Sequence, residues 1–556
     1  MSGTGNFTRA TTGATTLIGA NTYSGTTTVA GMLVAGAANT FSPASVHNVA
    51  ATGVMDLAGF NQSIAGLSNA GIVRLSSAGA STQLTVTGPL VGNGGTVIFG
   101  ATLGNDTSPI DQIILSGATA VASGTTNLLV ENRGGLGAAT TGAGIPVIVM
   151  QNGANSTASA FVLANTGGHV DAGAFQYRLY EGDTSVAKRL ALPDAAGVAK
   201  SFYLRTDALP TVPTPAPTPS SVPSYREEVA LLSAIPEVMR QSDLTMLSNL
   251  HRRMGDDDAK AKSVTLATSQ PAVVQRRSWA RVIYSDINVQ QSGTVDPHTQ
   301  GRLSGVQAGV DLFAAPATTA DDWRAGIYVG SLDGELNIDG NAGGQYGRVG
   351  GTSTSSRFLG LYGTYLGQDG LYADAVLQYG RHSYTTTTLS NNSNANGKGS
   401  SYSASLEVGK AFALNERWSL EPQGQLIRQN VGVDDLTISG ATTVHQDPAD
   451  VWIGRVGVRI KGDMTSVAGP MQPYGRFNIY RSSGGTDTAR FTTQSASTSI
   501  TAKTGYTSGE LAAGVTLKLT TAVSVYGEFG KVFKLGGGDT QVKSSVQGSV
   551  GVKMAF

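Results

Sequence analysis

The sequence predicts an all-β chain of two unlike halves: a right-handed parallel β-helix, then a short α-helical segment, then a twelve-stranded antiparallel β-barrel. Three observations carry the prediction. Residues 1–209 hold short Val-, Ile- and Thr-rich runs separated by Gly, Asn and Ser, with no helical period. From Ser278 to Phe556, apolar residues recur at every second position in about a dozen runs of roughly ten to fourteen residues. Between the halves, Tyr225–Met254 is the one long stretch that reads as helix.

Composition narrows the function classes. A chain of 556 residues is too long for one ordinary domain. Charged residues make up only 14% and the formal net charge is zero, so nothing points to a nucleic-acid partner. The absence of Cys removes disulfides, thiolate metal sites and Cys nucleophiles together. No apolar run approaches the length of a membrane-spanning helix; Ile145–Met150 is about the longest. The first residues lack a basic n-region and an apolar h-region, so an exported chain is expected to have its signal and further coils upstream of Met1.

Residues 1–209 carry 17 charged side chains, none of them between Ala10 and Met55. A β-prone run, a Gly or Asn turn and another run, repeated every few residues, is the pattern of stacked coils with small residues at tight corners. At roughly 20 residues per coil the length allows about nine or ten coils. The alternative, a low-complexity segment without structure, sits poorly with so regular a recurrence of Val, Ile and Leu.

The segment from Asn21 to Leu33, NTYSGTTTVAGML, resembles the passenger-associated repeat of bacterial autotransporters. A longer match follows in DTSPIDQIILSG from Asp106 and LVENRGGLGAATTGAGI from Leu129. It closes with AGAFQYRL from Ala172 and with Phe202-Tyr203-Leu204. This order resembles the C-terminal part of pertactin-like passengers across about residues 80–207. The resemblance implies a section that folds first and templates the rest, with Phe175, Tyr177 and Tyr203 in its folding core.

Residues 210–224 are Pro-rich, which forces extended chain and marks a boundary. A ligand for an aromatic groove is the other reading of such a run. In the helical segment, assigned to residues 225–262, Val229, Leu232 and Ile235 fall at helical spacing, and Pro236 ends or kinks the first helix. The second helix then carries Leu244, Leu247, Leu250 and Met254 on one stripe, with Arg240, Asp243, Asn249 and Arg252 off it, and stops at Gly255. Such a narrow stripe suits a polar lumen, although a linker helix packed on either neighbour gives the same period. The words YREEV, AIP and RQSDLTML resemble the segment that lies inside the barrel of autotransporters, with Leu244, Leu247, Asn249 and Leu250 in the plug helix. Some members cut themselves there between two asparagines; here Ser248-Asn249 occupies that place, so cleavage by that route is not expected.

In residues 272–556 one face of each run is apolar and the other carries Lys, Arg, Gln and Thr, which period 2 places on opposite faces of a strand. The runs are longer than those of a soluble sandwich. Twelve can be counted, beginning near Arg277, Gln300, Asp322, Ser355, Gly370, Lys398, Arg417, Asp450, Gln472, Thr507, Ala522 and Lys543. Even number, aromatics near run ends, and turn-like connections alternating with longer polar ones such as Thr385–Gly399 and Ser482–Tyr506 predict a transmembrane outer-membrane barrel. The last run, with Val550, Val552, Met554 and Phe556 on one face, resembles the signal read by the barrel-assembly machinery.

Candidate chemistry is sparse. The six histidines lack ligand spacing, and His47 and His169 read as turn or surface residues. No nucleophile-elbow motif with a triad order is present, and Asp106 and Asp111 read as turn caps. Gly92–Gly95 and Gly134–Gly137 are not followed by helices, which argues against phosphate cradles. Arg455, Arg459, Lys461, Arg476 and Lys518 face the lumen by period, where they would line a wet pore and could hold the helix through Glu237 and Asp243. No catalytic residue, cofactor or metal is expected.

The resemblance thus implies a Gram-negative outer-membrane protein that translocates and displays its own adhesin-like passenger. Its partners would be the bilayer, the barrel-assembly machinery and periplasmic chaperones, and a host-surface or matrix ligand. Two alternatives stay open: a porin-like barrel with a periplasmic N-terminal domain, and a translocator of an enzymatic passenger encoded upstream of Met1.

Overall fold

Parallel pairing begins with the first coils. Phe7 pairs with Thr27, Thr27 with His47 and His47 with Leu67, each 20 positions on. Leu67 then pairs with Leu90, Leu90 with Ala122 and Ala122 with Ser156. The computed structural model describes residues 1–182, 201–208, 222–255, 276–315, 321–494, 497–536 and 538–556. Most of the Pro-rich run, residues 256–262 of the helical segment, and residues 272–275 lie outside them.

The coil is held by columns of like residues. Leu33, Met55, Val73, Val97 and Leu128 are successive ladder partners, all fully buried. On another side Ile64, Val86, Leu115 and Met150 form a second such column. Stacking leaves no room at corners: a Cβ on Gly31 would meet the Ala10 carbonyl oxygen at 2.1 Å, and one on Gly53 that of Val29 at 2.1 Å. The described residues make seven parallel passes, fewer than the nine or ten expected, for two reasons. The repeat lengthens after Leu67, and the end of the domain turns antiparallel. There Ile145–Gln151 and Phe175–Glu181 flank Phe202–Arg205, and Val170–Ala172 pairs with Phe175–Glu181.

Both histidines assigned to turns or surface are buried. His169 hydrogen-bonds Asp171 at 2.9 Å. His47 sits inside the coil, its Nδ1 3.1 Å from the Ser45 carbonyl and its ring 5.6 Å from that of Phe41. Alternation from Val49 puts His47 on the same inward face, a reading that the polar residue type overrode. Burial holds the His47 pKa down to about 4. Below pH 6.5 the unfolded chain binds a proton that the native coil does not, so stability falls with pH through the window from about 6.5 to 4 and then levels. The loss amounts to roughly 3 kcal/mol. Urea midpoints of the passenger between pH 7 and 4.5 check this: His47→Leu should flatten the slope, and an unchanged slope would refute the assignment.

The barrel strands are β1 Arg277–Gln291, β2 His298–Ala314, β3 Asp322–Ala342, β4 Gln345–Leu366, β5 Leu371–Thr388 and β6 Asn394–Lys410. They continue as β7 Trp418–Val433, β8 Val451–Gly462, β9 Gly469–Ser482, β10 Thr507–Lys518, β11 Val523–Lys534 and β12 Ser544–Ala555. Each pairs antiparallel with the next, and β12 closes on β1 with Val550 opposite Val282. Closure leaves no edge for lipid to satisfy. Val282, Val329, Leu377, Val456, Phe529 and Val550 point outward and are exposed. Phe556 ends the seam, its N–H and carbonyl both bonded to Arg276.

Two features of the rim differ from the sequence reading. β4 begins at Gln345 rather than near Ser355, because its polar outer half carries no alternation to read. It continues from β3 through Gly343-Gly344, both at positive φ, as a two-residue hairpin standing beyond the membrane. The second is the supposed loop Ser482–Tyr506. Its strands Gly485–Thr492 and Ser497–Thr504 pair with each other, and the first also pairs with Thr442–Asp447. With Leu436–Ile438 they make a four-stranded sheet over one end of the barrel.

Candidate functional site: the occupied barrel lumen

The segment entering the barrel breaks into three helices: α1 Glu227–Ser233, α2 Ile235–Leu247 and α3 Leu250–Met254. Pro236 falls in the first turn of α2, where its missing N–H costs nothing. The sequence reading ran the second helix unbroken to Gly255; instead Ser248 takes φ 57° and ends α2. Asn249 then caps α3, its side chain accepting the Arg252 N–H at 2.9 Å. The apolar stripe that continues across Ser248-Asn249 hid that break.

The helices are anchored at both ends by their own arginines. At the outer end Arg226 donates to the Ser439 carbonyl at 3.0 Å and pairs with Glu228 at 2.7 Å. Arg240 forks onto both Asp487 oxygens, at 2.8 and 2.6 Å, and onto the Ala449 carbonyl at 2.8 Å, so the outer sheet clasps α2. At the inner end Arg253 donates to both Asp374 oxygens at 2.9 Å, and the Tyr526 hydroxyl donates to the Arg253 carbonyl at 2.7 Å. Asp374 and Tyr526 are near the starts of β5 and β11, so α3 ends low in the lumen.

Between these anchors the wall meets the helix backbone. Gln378 donates to the Asp243 carbonyl, Gln429 to that of Arg240, and Gln307 and Arg281 to that of Met246. The Asp243 carboxylate accepts from Ser401 Oγ at 2.8 Å and lies 3.4 Å from His382 Nε2, while His382 Nδ1 is 2.8 Å from Ser356 Oγ. This Ser–His–Asp chain resembles a catalytic set in composition only. The cavity beside it has about 10 Å³, too little for a substrate, so the chain joins helix to wall.

The wall arginines do not reach Glu237 and Asp243 as the sequence suggested. Arg455 pairs with Glu407 at 2.9 Å, and Arg476 with Glu510 at 3.1 Å and Glu528 at 2.8 Å. Arg459 lies 3.7 Å from Glu421. The reason is register. Glu407, Gln425 and Arg455 are successive cross-strand partners on one row, as are Glu421 and Arg459, so these wall arginines find carboxylates within the wall. Glu237 is met by Arg240 and Gln241 of its own helix.

Leu247 and Leu250 are buried between α2–α3 and the wall. Leu244 and Asn249 instead face a residual cavity of about 100 Å³, together with Gln241, Ser248, Arg252 and Tyr480. The passenger seats on the outer rim. Phe175 stacks on Tyr225 with centroids 5.6 Å apart, and the Gly343 N–H donates to the Tyr225 carbonyl. Tyr177 is fully buried, its one hydroxyl hydrogen shared between the Gly104 and Ala138 carbonyls and its oxygen accepting the Ala138 N–H, all at 2.8 Å. Tyr203 lies in the antiparallel end of the coil under the Arg205 guanidinium. Val550, Val552, Met554 and Phe556 all face lipid. Asp106 accepts the N–H groups of Thr141, Gly142 and Gly144, and Asp111 those of Ser81, Thr82 and Gly100, so both carboxylates cap loops.

The family model for the autotransporter beta-domain matches residues 278–530, and that for the type 1 autochaperone domain matches residues 63–179. This chain belongs to the autotransporter family. Its barrel is therefore the outer-membrane β-domain of that family, with the passenger on the surface side. The adhesin BmaC autotransporter of Brucella suis is 29% identical over 71% of this chain and 11% of its own length. The pertactin autotransporter of Bordetella bronchiseptica is 26% identical over 66% of this chain and 39% of its own. The chain thus spans well under half of these relatives. Among solved structures, the beta domain of the Bordetella autotransporter BrkA aligns with 50% of this chain and 99% of its own at 22% identity, with a TM-score of 0.37.

Proposed function

We propose that this autotransporter carries its own N-terminal passenger through the outer membrane, displays it there, and then keeps the helix in the lumen as a plug. One observation carries the reading. The chain leaves the passenger at the outer rim, descends through the lumen as α1–α3, and begins β1 at the end with the short turns. Short turns face the periplasm in such barrels, so the passenger and the start of β1 lie on opposite sides of the membrane. Passage through the barrel is the topologically simplest origin of that arrangement.

The displayed domain acts by adhesion rather than by catalysis. Its carboxylate pair, Asp106 and Asp111, is engaged by loop N–H groups, and one relative is named an adhesin. The partner is a host-surface or matrix ligand. Val550, Val552, Met554 and Phe556 present the lipid-facing terminal strand to the barrel-assembly machinery, and periplasmic chaperones hold the chain beforehand. Residues 80–207 form the folding core, resting on Phe175, Tyr177 and Tyr203, and their folding outside opposes backsliding. Residues 210–224 are the joint.

Protease shaving of intact cells tests the proposal, with one epitope tag in the exposed turn at Ala158 and another in the turn at Asp369. Loss of the first tag with survival of the second is expected. If the Ala158 tag survives until the outer membrane is permeabilised, the protein is a barrel with a periplasmic domain and the export reading falls. Deleting Phe556 should reduce both signals together.

A further inference from the structure

Two arginines on the lipid side of the barrel have no protein partner. Arg357 of β4 and Arg381 of β5 both point outward and are exposed. They are direct cross-strand partners. Among the described residues neither makes a hydrogen bond or ion pair. The nearest carboxylate by register is Asp333, diagonal to Arg357 through the Ser331–Arg357 pair, and no ion pair joins them. Lys398 lies diagonally across from Arg381 and is also exposed. Like charges directly opposite on one sheet face repel. One arginine here would snorkel to the headgroups unaided, whereas a register pair calls for an anion to bridge it.

Their height names the source of that anion. Arg357 is the tenth residue counted from Leu366, and Arg381 the eleventh from Leu371, at the periplasmic ends of their strands. At about 3.3 Å per residue and a tilt near 40°, that places both about 25 Å above the periplasmic edge. It is the outer border of the apolar band. Leu359, Leu361, Leu377, Tyr379 and Tyr402 lie on the membrane side of the pair, the two tyrosine rings 5.1 Å apart as an interface girdle. Ser353, Ser355 and Ser383 lie on the water side.

A hollow of about 820 Å³ opens beside Arg357 on the lipid face, across β12, β1, β2 and β3. Ala280, Val306, Ala308, Val329, Val550 and Val552 line it, and of its outward-facing residues Arg357 alone is charged. The small side chains let an acyl chain lie close to the sheet while its headgroup reaches the arginines. We propose that Arg357 and Arg381 bind the phosphate of an outer-leaflet glycolipid of the lipid A type, with an acyl chain in this hollow. Guanidinium forks match phosphate oxygens in pairs, and a dianion answers both charges at once.

The test uses the full-length protein in detergent, with retention of synthetic lipid read by native mass spectrometry. Bisphosphorylated lipid A should bind about tenfold more tightly than its dephosphorylated form, and Arg357→Gln/Arg381→Gln should remove that preference. Arg428→Gln, whose arginine already pairs with Asp450 at 2.9 Å, should leave it intact. Folding of each variant is checked by heat-shifted gel mobility. Should the double variant fail to fold, Arg381→Gln alone takes its place, with about a fivefold loss expected. Equal retention of the two lipids, an unaltered double variant, or the same loss in Arg428→Gln would each overturn the proposal. Displacement of bound lipid by millimolar inorganic phosphate would make this a free-anion site and overturn the lipid assignment. Resistance to phosphate supports it.

Discussion

Tyr177→Ala is expected to destabilise the membrane-proximal end of the passenger by about 4–6 kcal/mol, enough to leave it protease-sensitive on the cell surface. The ring is fully buried where the parallel coil turns antiparallel. Truncation would open a cavity, and it would also strand the Ala138 N–H and the Gly104 and Ala138 carbonyls, which the hydroxyl now joins. Burial pushes the hydroxyl pKa up, so it remains a donor at every pH the cell meets. Tyr177→Phe separates the two contributions. It keeps the packing and loses only the hydroxyl, so about 1–3 kcal/mol is expected. The urea midpoint of protease resistance in displayed protein reads both. Full resistance in Tyr177→Ala would remove Tyr177 from the folding core. Slower appearance of passenger outside, at equal barrel insertion, would tie that core to export.

The sequence could reveal those elements whose signal is local. Period 2 in Leu511–Leu519 and in Val546–Phe556 depends only on which face meets lipid, so the barrel and its strand count were legible. The coil count was not, because later coils lengthen where residues loop out between Ala101 and Gln112, and between Asn132 and Ile145. The break at Ser248 was hidden because the apolar stripe Leu244, Leu247, Leu250 and Met254 runs on across it, although Ser248-Asn249 is cap-forming in type. The charge pairing in the lumen was least accessible. Arg455 finds Glu407 across an intervening strand, 48 positions away in sequence, and only the register row brings them together. Alternation locates the lumen arginines but not their neighbours along a register row, so the helix carboxylates stood as their nearest partners. The wall had its own.

Because the wall arginines already occupy nearby carboxylates, Arg253 of the helix depends on a single partner, and Asp374→Asn is expected to unseat the plug from below. Arg253 is wholly buried, with Asp374 held at 2.9 Å through both oxygens and the Tyr362 ring 5.2 Å from its guanidinium carbon. Removing one partner leaves an uncompensated buried charge, which costs about 3–5 kcal/mol. The wall offers no replacement, because Glu407, Glu510 and Glu528 are already engaged by Arg455 and Arg476. In planar bilayers the unaltered protein should stay mostly closed, and Asp374→Asn should show frequent openings. Asp487→Asn should do the same from the outer end, where Arg240 would lose its paired charge and one of its two bonds to that side chain. The double variant Arg253→Met/Asp374→Leu distinguishes an ionic latch from general damage to packing. Replacing both charges by apolar groups removes the stranded ion, so its open probability should return toward that of the unaltered protein. If Asp374→Asn stays as closed as the parent, the helix is held by its backbone contacts with Gln378, Gln429 and Tyr526, and the arginine serves only to fill the lumen.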